Sequence, residues 1–420
     1  MDKIVIEGGK PLKGCVQISG SKNSSLPILA ATILGDSPSL IKNAPPLADV
    51  DTMVQILEFL GAKVRKPSPG QILVDPSSIS NAVAPYELVR KMRASICVLG
   101  PLIGKFRNVK VSMPGGCVIG PRPIDLHLKG LEALHVKISI EHGYVVARAT
   151  ELCGNSVFLG GRFGSSVLAT ANVMMAAVKA HGTSVIESAA CEPEVVDLAE
   201  FLVKMGAKIE GAGSHVLKIT GVKRLSGAEH SVIPDRIEAG TYMIAAAITR
   251  GDVRIKGARL AHLMAVADKL RDTGVKIQSF GDDVRVISNG DLRMVDVITL
   301  PYPGFPTDLQ AQMMALMAIT PGISVVTEKI YPERFMHVGE LNRMAADISL
   351  EGASAIVKGV RTLSGAPIMA SDLRASAALV LAGLVAEGET EVNRVYHIDR
   401  GYENIERKLS GLGAKIKRVE

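Results

Sequence analysis

The sequence has no tryptophan, and its 7 tyrosines and 8 phenylalanines bring the aromatic fraction to only 4% of 420 residues. Stacking platforms for bases or sugar rings need such side chains in number, so binding of single-stranded nucleic acid is disfavoured. Cysteine is scarce as well. The five present (Cys15, Cys97, Cys117, Cys153 and Cys191) are odd in number and show no Cys-x-x-Cys spacing, which argues against a disulfide framework or a zinc ribbon. The nine histidines form no His-x-x-x-His pair, and no metal or other cofactor is expected. There is no Gly-Lys-Ser/Thr phosphate loop and no strand-linked GxGxxG. Apolar runs such as Ala375–Ala386 fall short of the roughly 18–20 residues that span a bilayer, so no membrane partner is expected. Basic residues number 48 against 42 acidic, giving a net charge of +6 without any basic block, a pattern that suits a small anionic ligand better than nucleic acid. Met1-Asp2-Lys3 reads as the approach to a strand rather than a signal peptide, and the expected compartment is the reducing cytoplasm.

The length fits about two domains at roughly 100–200 residues each, and 47% hydrophobic residues with 21% charged lie near the globular average. A repeated unit organises the chain. The tetrad Gly61-Ala62-Lys63-Val64 is echoed at His135–Ile138, Gly206–Ile209, Gly274–Ile277, Ala345–Ile348 and Gly413–Ile416, about 70 residues apart. An amphipathic stretch precedes each tetrad, as in Asp49–Leu60, Ile124–Leu134, Glu194–Met205, Leu260–Thr273, Arg334–Met344 and Tyr402–Leu412. Further upstream each unit carries an Ala-rich helix with a polar start: Ser21–Leu34, Met92–Leu102, Ser165–Ala180, Asp235–Thr249, Thr307–Ile319 and Asp372–Ala386. Apolar nearly all round, these helices are expected in domain centres, surrounded by sheets. The expected fold is α/β, with six units divided into two domains of three.

Chemistry concentrates in a few places. The stretch from Ser112 to His127 packs three Gly and three Pro into ten residues around Cys117 and Arg122, which reads as a hinged loop bearing a thiol and a guanidinium. A surface turn with an incidental cysteine is the plain alternative. Helix Ser21–Leu34 opens with Lys22 and Asn23 directly after a strand, and its free N–H groups with Lys22 suit an anion, although a simple N-cap reads equally well. Arg93 and Arg400 lie in mixed-polarity contexts where a guanidinium fork would fit carboxylate or phosphate. Asp308 stands at the mouth of the fifth Ala-rich helix, where ordinary N-capping is the simpler reading.

Together Lys22-Asn23, the Pro-Gly-Gly-Cys-x-x-Gly-x-Arg-Pro loop, Phe305-Pro306-Thr307-Asp308, Arg334-Phe335-Met336-His337 and His397-Ile398-Asp399-Arg400-Gly401 resemble the UDP-N-acetylglucosamine 1-carboxyvinyltransferase family over the whole chain. These are the enolpyruvyl transferases of the first committed step of peptidoglycan synthesis and the targets of fosfomycin. The resemblance implies a two-domain inside-out α/β barrel of six βαβαββ-type repeats. Residues 22–232 would form one domain with the Cys117 loop, and residues 1–21 with 233–420 the other, carrying Asp308 and Arg400. It implies phosphoenolpyruvate and UDP-N-acetylglucosamine as substrates. Lys22, Arg122 and Arg400 would hold phosphoenolpyruvate, Cys117 would protonate its methylene, and Asp308 would take or orient the proton of the attacking hydroxyl. Asn23, Arg93, Pro123, Ile124, Asp125, Leu126, Ile330 and Arg334 complete the implied substrate contacts. Where relatives read Lys-Val-Ser-Val-Gly-Ala, this chain reads Gly161-Arg162-Phe163-Gly164-Ser165-Ser166, so Arg162 with Ser165 or Ser166 stands in for those contacts. The alternatives are 5-enolpyruvylshikimate-3-phosphate synthase and a non-catalytic nucleotide-sugar-binding paralogue.

Overall fold

A computed structural model describes residues 2–115 and 123–419. The chain divides into two compact units: a middle unit from Gly20 to Ile233, and a terminal unit that combines the described residues up to Ser19 with those from Pro234 onward. Cys117 and Arg122 lie outside the described residues.

Among the described residues the strands form six four-stranded sheets and one two-stranded ribbon. Each of the six sheets has one parallel pair followed by two antiparallel pairs. In the middle unit, Val83–Ala84 runs parallel to Asn108–Ser112, which pairs antiparallel with Tyr144–Arg148, which in turn pairs antiparallel with Lys137–Glu141. In the terminal unit the N-terminal strand Lys3–Glu7 fills an interior place, antiparallel to both Glu389–Asn393 and Lys415–Val419. The next strand, Lys13–Gln17, adds parallel to Asp252–Lys256. Residues 3–17 are therefore structural members of the terminal unit. The described sheets remain separate and do not join into one closed barrel.

The Ala-rich segments form the interior, as their composition suggests. In the helix Ala375–Gly383 every residue is buried, and the same holds for Gln310–Ala318. In Val167–Ala177 everything from Ala169 onward is buried. Small side chains let such helices approach closely: a Cβ added to Gly100 would lie 2.1 Å from the carbonyl oxygen of Asn172 on the neighbouring helix. Asn172 satisfies its own buried amide there, accepting from the Gly100 N–H at 2.7 Å and donating to the Ile96 carbonyl at 2.9 Å. Two outer helices, Ala48–Leu60 and Pro193–Lys204, are at least as long as the sequence suggests, and the others are shorter. The expected helix Arg334–Met344 begins only at Met336, because Arg334 closes a turn on the Tyr331 carbonyl at 2.9 Å.

The tetrad also finds a reason. Its first residue ends each outer helix in the left-handed region, with φ of 106° at Gly61, 68° at His135, 108° at Gly206, 96° at Gly274, 66° at Ala345 and 96° at Gly413. Glycine adopts this conformation freely, whereas an L side chain is strained in it by roughly 1–2 kcal/mol. Nothing stands within 4 Å of a Cβ at Gly206, and Ala345 is exposed, so neither site mixes packing with backbone strain. Ala345→Gly is therefore expected to raise the urea-unfolding free energy, and Gly206→Ala to lower it, each by about 1 kcal/mol. Opposite signs would contradict the φ account of the repeat.

Candidate active site

In the terminal unit the polar starts of the buried helices gather a charged cluster. Arg334 is only 5% exposed at its side chain and uses its whole guanidinium. Nε and Nη2 reach the two carboxylate oxygens of Asp372 at 3.1 Å each, and Nη1 donates to Asp308 Oδ1 at 2.7 Å. Nη1 also donates to Thr307 Oγ1 at 3.1 Å. Asp372 Oδ1 further accepts the N–H groups of Arg374 at 2.7 Å and Ala375 at 2.9 Å, capping the last Ala-rich helix. Arg374 in turn donates to Asp235 Oδ2 at 2.6 Å and to the Gly401 carbonyl at 2.6 Å. Asp235 is itself a cap, its Oδ1 accepting from Ile237 and Glu238.

Burial alone would push these carboxyls up. That burial effect is outweighed only by several influences together, the Arg334 charge and hydrogen bond with the Arg374 charge at Asp308, and the Arg334 charge and hydrogen bond with the Ala375 and Arg374 N–H groups at Asp372, so both pKa values fall below the ordinary carboxylate range, Asp372 strongly. Asp308 is thus held as a carboxylate with 28% of its side chain exposed, and among the described residues no donor reaches Oδ2. Its side chain serves Arg334 rather than the helix start, which sets the capping alternative aside. Arg400 follows the turn Val395–His397, and its neighbour Gly401 packs closely on Leu373: a Cβ there would lie 2.4 Å from Leu373 Cδ2, which would have to move. Ile330 is placed by its N–H, which donates to Glu328 Oε1 at 2.8 Å.

In the middle unit Lys22 opens the helix Lys22–Ala31, capped by Ser21, with Asn23 next to it. Its ammonium meets Asp49 Oδ2 at 3.2 Å, both groups buried. Ser24, two residues on, donates to Asp197, which also binds His230 at 2.7 Å and the Ile233 N–H at 3.2 Å. Arg93 begins a 3-10 turn and donates to the Pro123 carbonyl at 3.4 Å. Ile124, Asp125 and Leu126 form the start of the helix Asp125–Ala133, and Leu126 packs under Gly161 of the ribbon Gly160–Gly161 with Gly164–Ser165. Arg162 sits exposed at the ribbon tip over the Phe163 ring. Ser166 uses its hydroxyl as the cap of Val167–Ala177. Among the described residues no group of three or more His, Cys, Asp or Glu could hold a metal ion, and no helix is long and apolar enough to cross a membrane.

The sequence reading did not single out Asp49, Asp372, Arg374 or Glu328. Asp372 and Arg374 flank the start of an Ala-rich helix as Thr307 and Asp308 do, so their shared position was the available signal. It pointed equally to capping, which Asp372 also performs.

The family described as EPSP synthase (3-phosphoshikimate 1-carboxyvinyltransferase) matches residues 6–409. The chain is 55% identical over 419 residues to a UDP-N-acetylglucosamine 1-carboxyvinyltransferase of Methylacidiphilum infernorum, covering 100% of this chain and 99% of the relative. It is also 55% identical over 421 residues to UDP-N-acetylglucosamine 1-carboxyvinyltransferase 2 of Carboxydothermus hydrogenoformans, with 100% of each covered. Among solved structures, the enolpyruvyl transferase NikO from Streptomyces tendae superposes with a TM-score of 0.90 at 25% identity, covering 100% of this chain and 99% of that one. EPSP synthase from Acinetobacter baumannii shares the fold at a TM-score of 0.75 and 16% identity, with both chains covered in full.

The depressed Asp308 and Asp372 pKa values give the terminal unit a pH signature. Their stabilisation is fully present above the unfolded value of about 3.9 and is lost as pH falls through the lower folded values. Arg334→Met removes the cation and leaves two carboxylates facing burial, so unfolding by acid should begin at a higher pH than in the unaltered protein, read by circular dichroism. An unchanged acid midpoint would mean that Arg334 does not set these ionisations.

Proposed function

This chain belongs to the EPSP synthase family, and on that footing we propose that it transfers the enolpyruvyl group of phosphoenolpyruvate to the 3-hydroxyl of UDP-N-acetylglucosamine, releasing phosphate. The observation that carries the reading is the Arg334-held carboxylate of Asp308, open at one oxygen, in a chain 55% identical end to end to transferases of that name. In this role the reaction begins peptidoglycan synthesis, in the cytoplasm, with no nucleic-acid partner.

The chemistry is an addition followed by an elimination. Phosphoenolpyruvate carries a phosphate and a carboxylate, which Lys22, Arg122 and Arg400 would hold by charge-assisted hydrogen bonds. Cys117 would deliver a proton to C3 while the sugar oxygen attacks C2, so that the carbon–carbon double bond becomes a C3–H bond and a C2–O bond. Asp308 would accept the hydroxyl proton as that C2–O bond forms. A carboxylate kept ionised by Arg334 is a weak base, and it suits a hydroxyl that turns acidic only as its oxygen commits to the new bond. The tetrahedral adduct would then return a C3 proton to the Cys117 thiolate as its C2–O bond to phosphate breaks, restoring the double bond, and the proton held by Asp308 would leave with the phosphate.

For the nucleotide sugar, the reading assigns Asn23, Arg93, Pro123 to Leu126, Ile330 and Arg334 as contacts. Arg162 and Ser165 or Ser166 would face the diphosphate, favoured by the free N–H groups at the start of Val167–Ala177. Burial with the nearby Glu192 charge raises the Cys191 thiol, and burial pushes Cys97 up to about 12, so both are weaker acids than an ordinary thiol.

Phosphate release from phosphoenolpyruvate tests the assignment. UDP-N-acetylglucosamine should support turnover and shikimate 3-phosphate should not, while Arg400→Ala should fold normally and lose about a hundredfold or more in kcat/KM. Turnover with shikimate 3-phosphate instead would move the chain to the other branch of its family. Silence with both acceptors would favour a binding protein.

A further inference from the structure

Glu328 has no exposed surface, and its carboxylate is met by neutral donors from three segments of the terminal unit. Oε1 accepts the Thr299 hydroxyl at 2.6 Å and the N–H groups of Ile330 at 2.8 Å and Tyr331 at 3.0 Å. Oε2 accepts the Thr307 hydroxyl at 2.8 Å. A buried carboxylate needs this number of donors, and the set also fixes their directions. A hydroxyl has one proton. Thr299 Oγ1 already accepts the Lys329 N–H at 3.0 Å, so its proton points to Glu328. Thr307 Oγ1 accepts Arg334 Nη1 at 3.1 Å, so its proton also points to Glu328.

The consequence runs toward Asp308. Nη1 of Arg334 divides its two protons between Thr307 Oγ1 and Asp308 Oδ1, while Nε and Nη2 are committed to Asp372. The Thr307 lone pair, kept available because the Thr307 proton is drawn to Glu328, therefore completes the fixed orientation of the guanidinium. The same carboxylate anchors Ile330, so one buried group sets the positions of two residues assigned above to the nucleotide-sugar site.

We propose that Glu328 and Thr307 form a one-way hydrogen-bond relay that fixes the rotation of Arg334 and thereby presents the Asp308 carboxylate to the acceptor hydroxyl, which makes both positioning residues for the transfer. The proposal rests on the function proposed above. Glu328→Gln would turn an N–H₂ donor toward Thr307, whose oxygen would then face two donors while its own proton lost its acceptor. Thr307→Val keeps the shape and removes the relay. Thr307→Ser keeps the relay and loses only the γ-methyl.

Thr307→Val and Glu328→Gln should lower kcat with UDP-N-acetylglucosamine by about ten- to a hundredfold, the scale expected for a misplaced reacting group, while Thr307→Ser stays near the unaltered rate. The charges facing Asp308 are Arg334 and Arg374, which lower its pKa, and Asp372, which raises it along with burial. Loosening Arg334 lets that pKa rise, so the acid limb of the kcat profile should move to higher pH in the Val and Gln variants and stay in place in the Ser variant. A purely structural defect lowers the active fraction without moving that limb. A urea double-mutant cycle on Thr307→Val and Glu328→Gln needs no substrate and should show a combined destabilisation smaller than the sum. Additive losses, an unmoved acid limb, or equal rates for Thr307→Val and Thr307→Ser would overturn the relay. Should Glu328→Gln fail to fold, the Val and Ser pair decides it by rate and pH profile. Absence of turnover by the unaltered protein would instead refute the function, with the cycle still reporting on the hydrogen bonds.

Discussion

A buried guanidinium between two carboxylates is the interaction on which the terminal unit turns. Arg334 spends two nitrogens on Asp372 and a third on Asp308. Breaking such an arrangement on one side commonly costs about 3–5 kcal/mol, because it strands a buried charge. Here the cation also keeps Asp308 ionised against a burial that would neutralise it. In the proposed reaction, stability and reactivity would therefore draw on the same group. Asp372 extends the network into the N-terminus of Ala375–Gly383, and Arg374 extends it to Asp235 and Gly401, beside Arg400. Three helix starts and one turn are tied into a single charged cluster that is buried except at Asp308.

The repeat explains how this cluster can be built. A helix without a polar face fills each unit's interior, and the only places where it can carry charge are its ends. Polar groups therefore collect where the helices begin. There they meet free N–H groups and a favourable dipole, conditions that suit anionic side chains and anionic ligands alike. The middle unit follows the same rule with Ser21, Lys22 and Asn23 at one helix start and Ser166 at another.

Much of this was legible in the sequence because it is periodic. The Ala-rich segments announced buried helices, and the Gly-Ala-Lys-Ile endings announced a turn into a strand; the φ values show that the glycine answers a left-handed helix end, with His135 and Ala345 as the strained exceptions. Lys22, Asp308, Arg334 and Arg400 stood out by their motifs. Their partners did not. Asp49 lies 27 residues from Lys22 and Asp372 lies 38 from Arg334, separations that only the folded chain closes. Glu328 was illegible for a different reason: it follows a β-branched run and looks like the first polar residue of a loop, and its meaning comes from four donors contributed by three separate segments. The shortened start of the Met336–Arg343 helix was hidden likewise, since a turn closed by Arg334 looks helical in sequence.

The central claim is that Arg334 holds one oxygen of Asp308 so that the other can meet the acceptor hydroxyl. A crystal structure of the protein with UDP-N-acetylglucosamine bound measures this directly. The account predicts the sugar 3-hydroxyl at a hydrogen-bond distance of about 2.5–3.0 Å from Asp308 Oδ2, with Oδ1 still on Arg334. A sugar bound with its 3-hydroxyl on another residue, or an Asp308 carboxylate turned wholly onto Arg334, would contradict it.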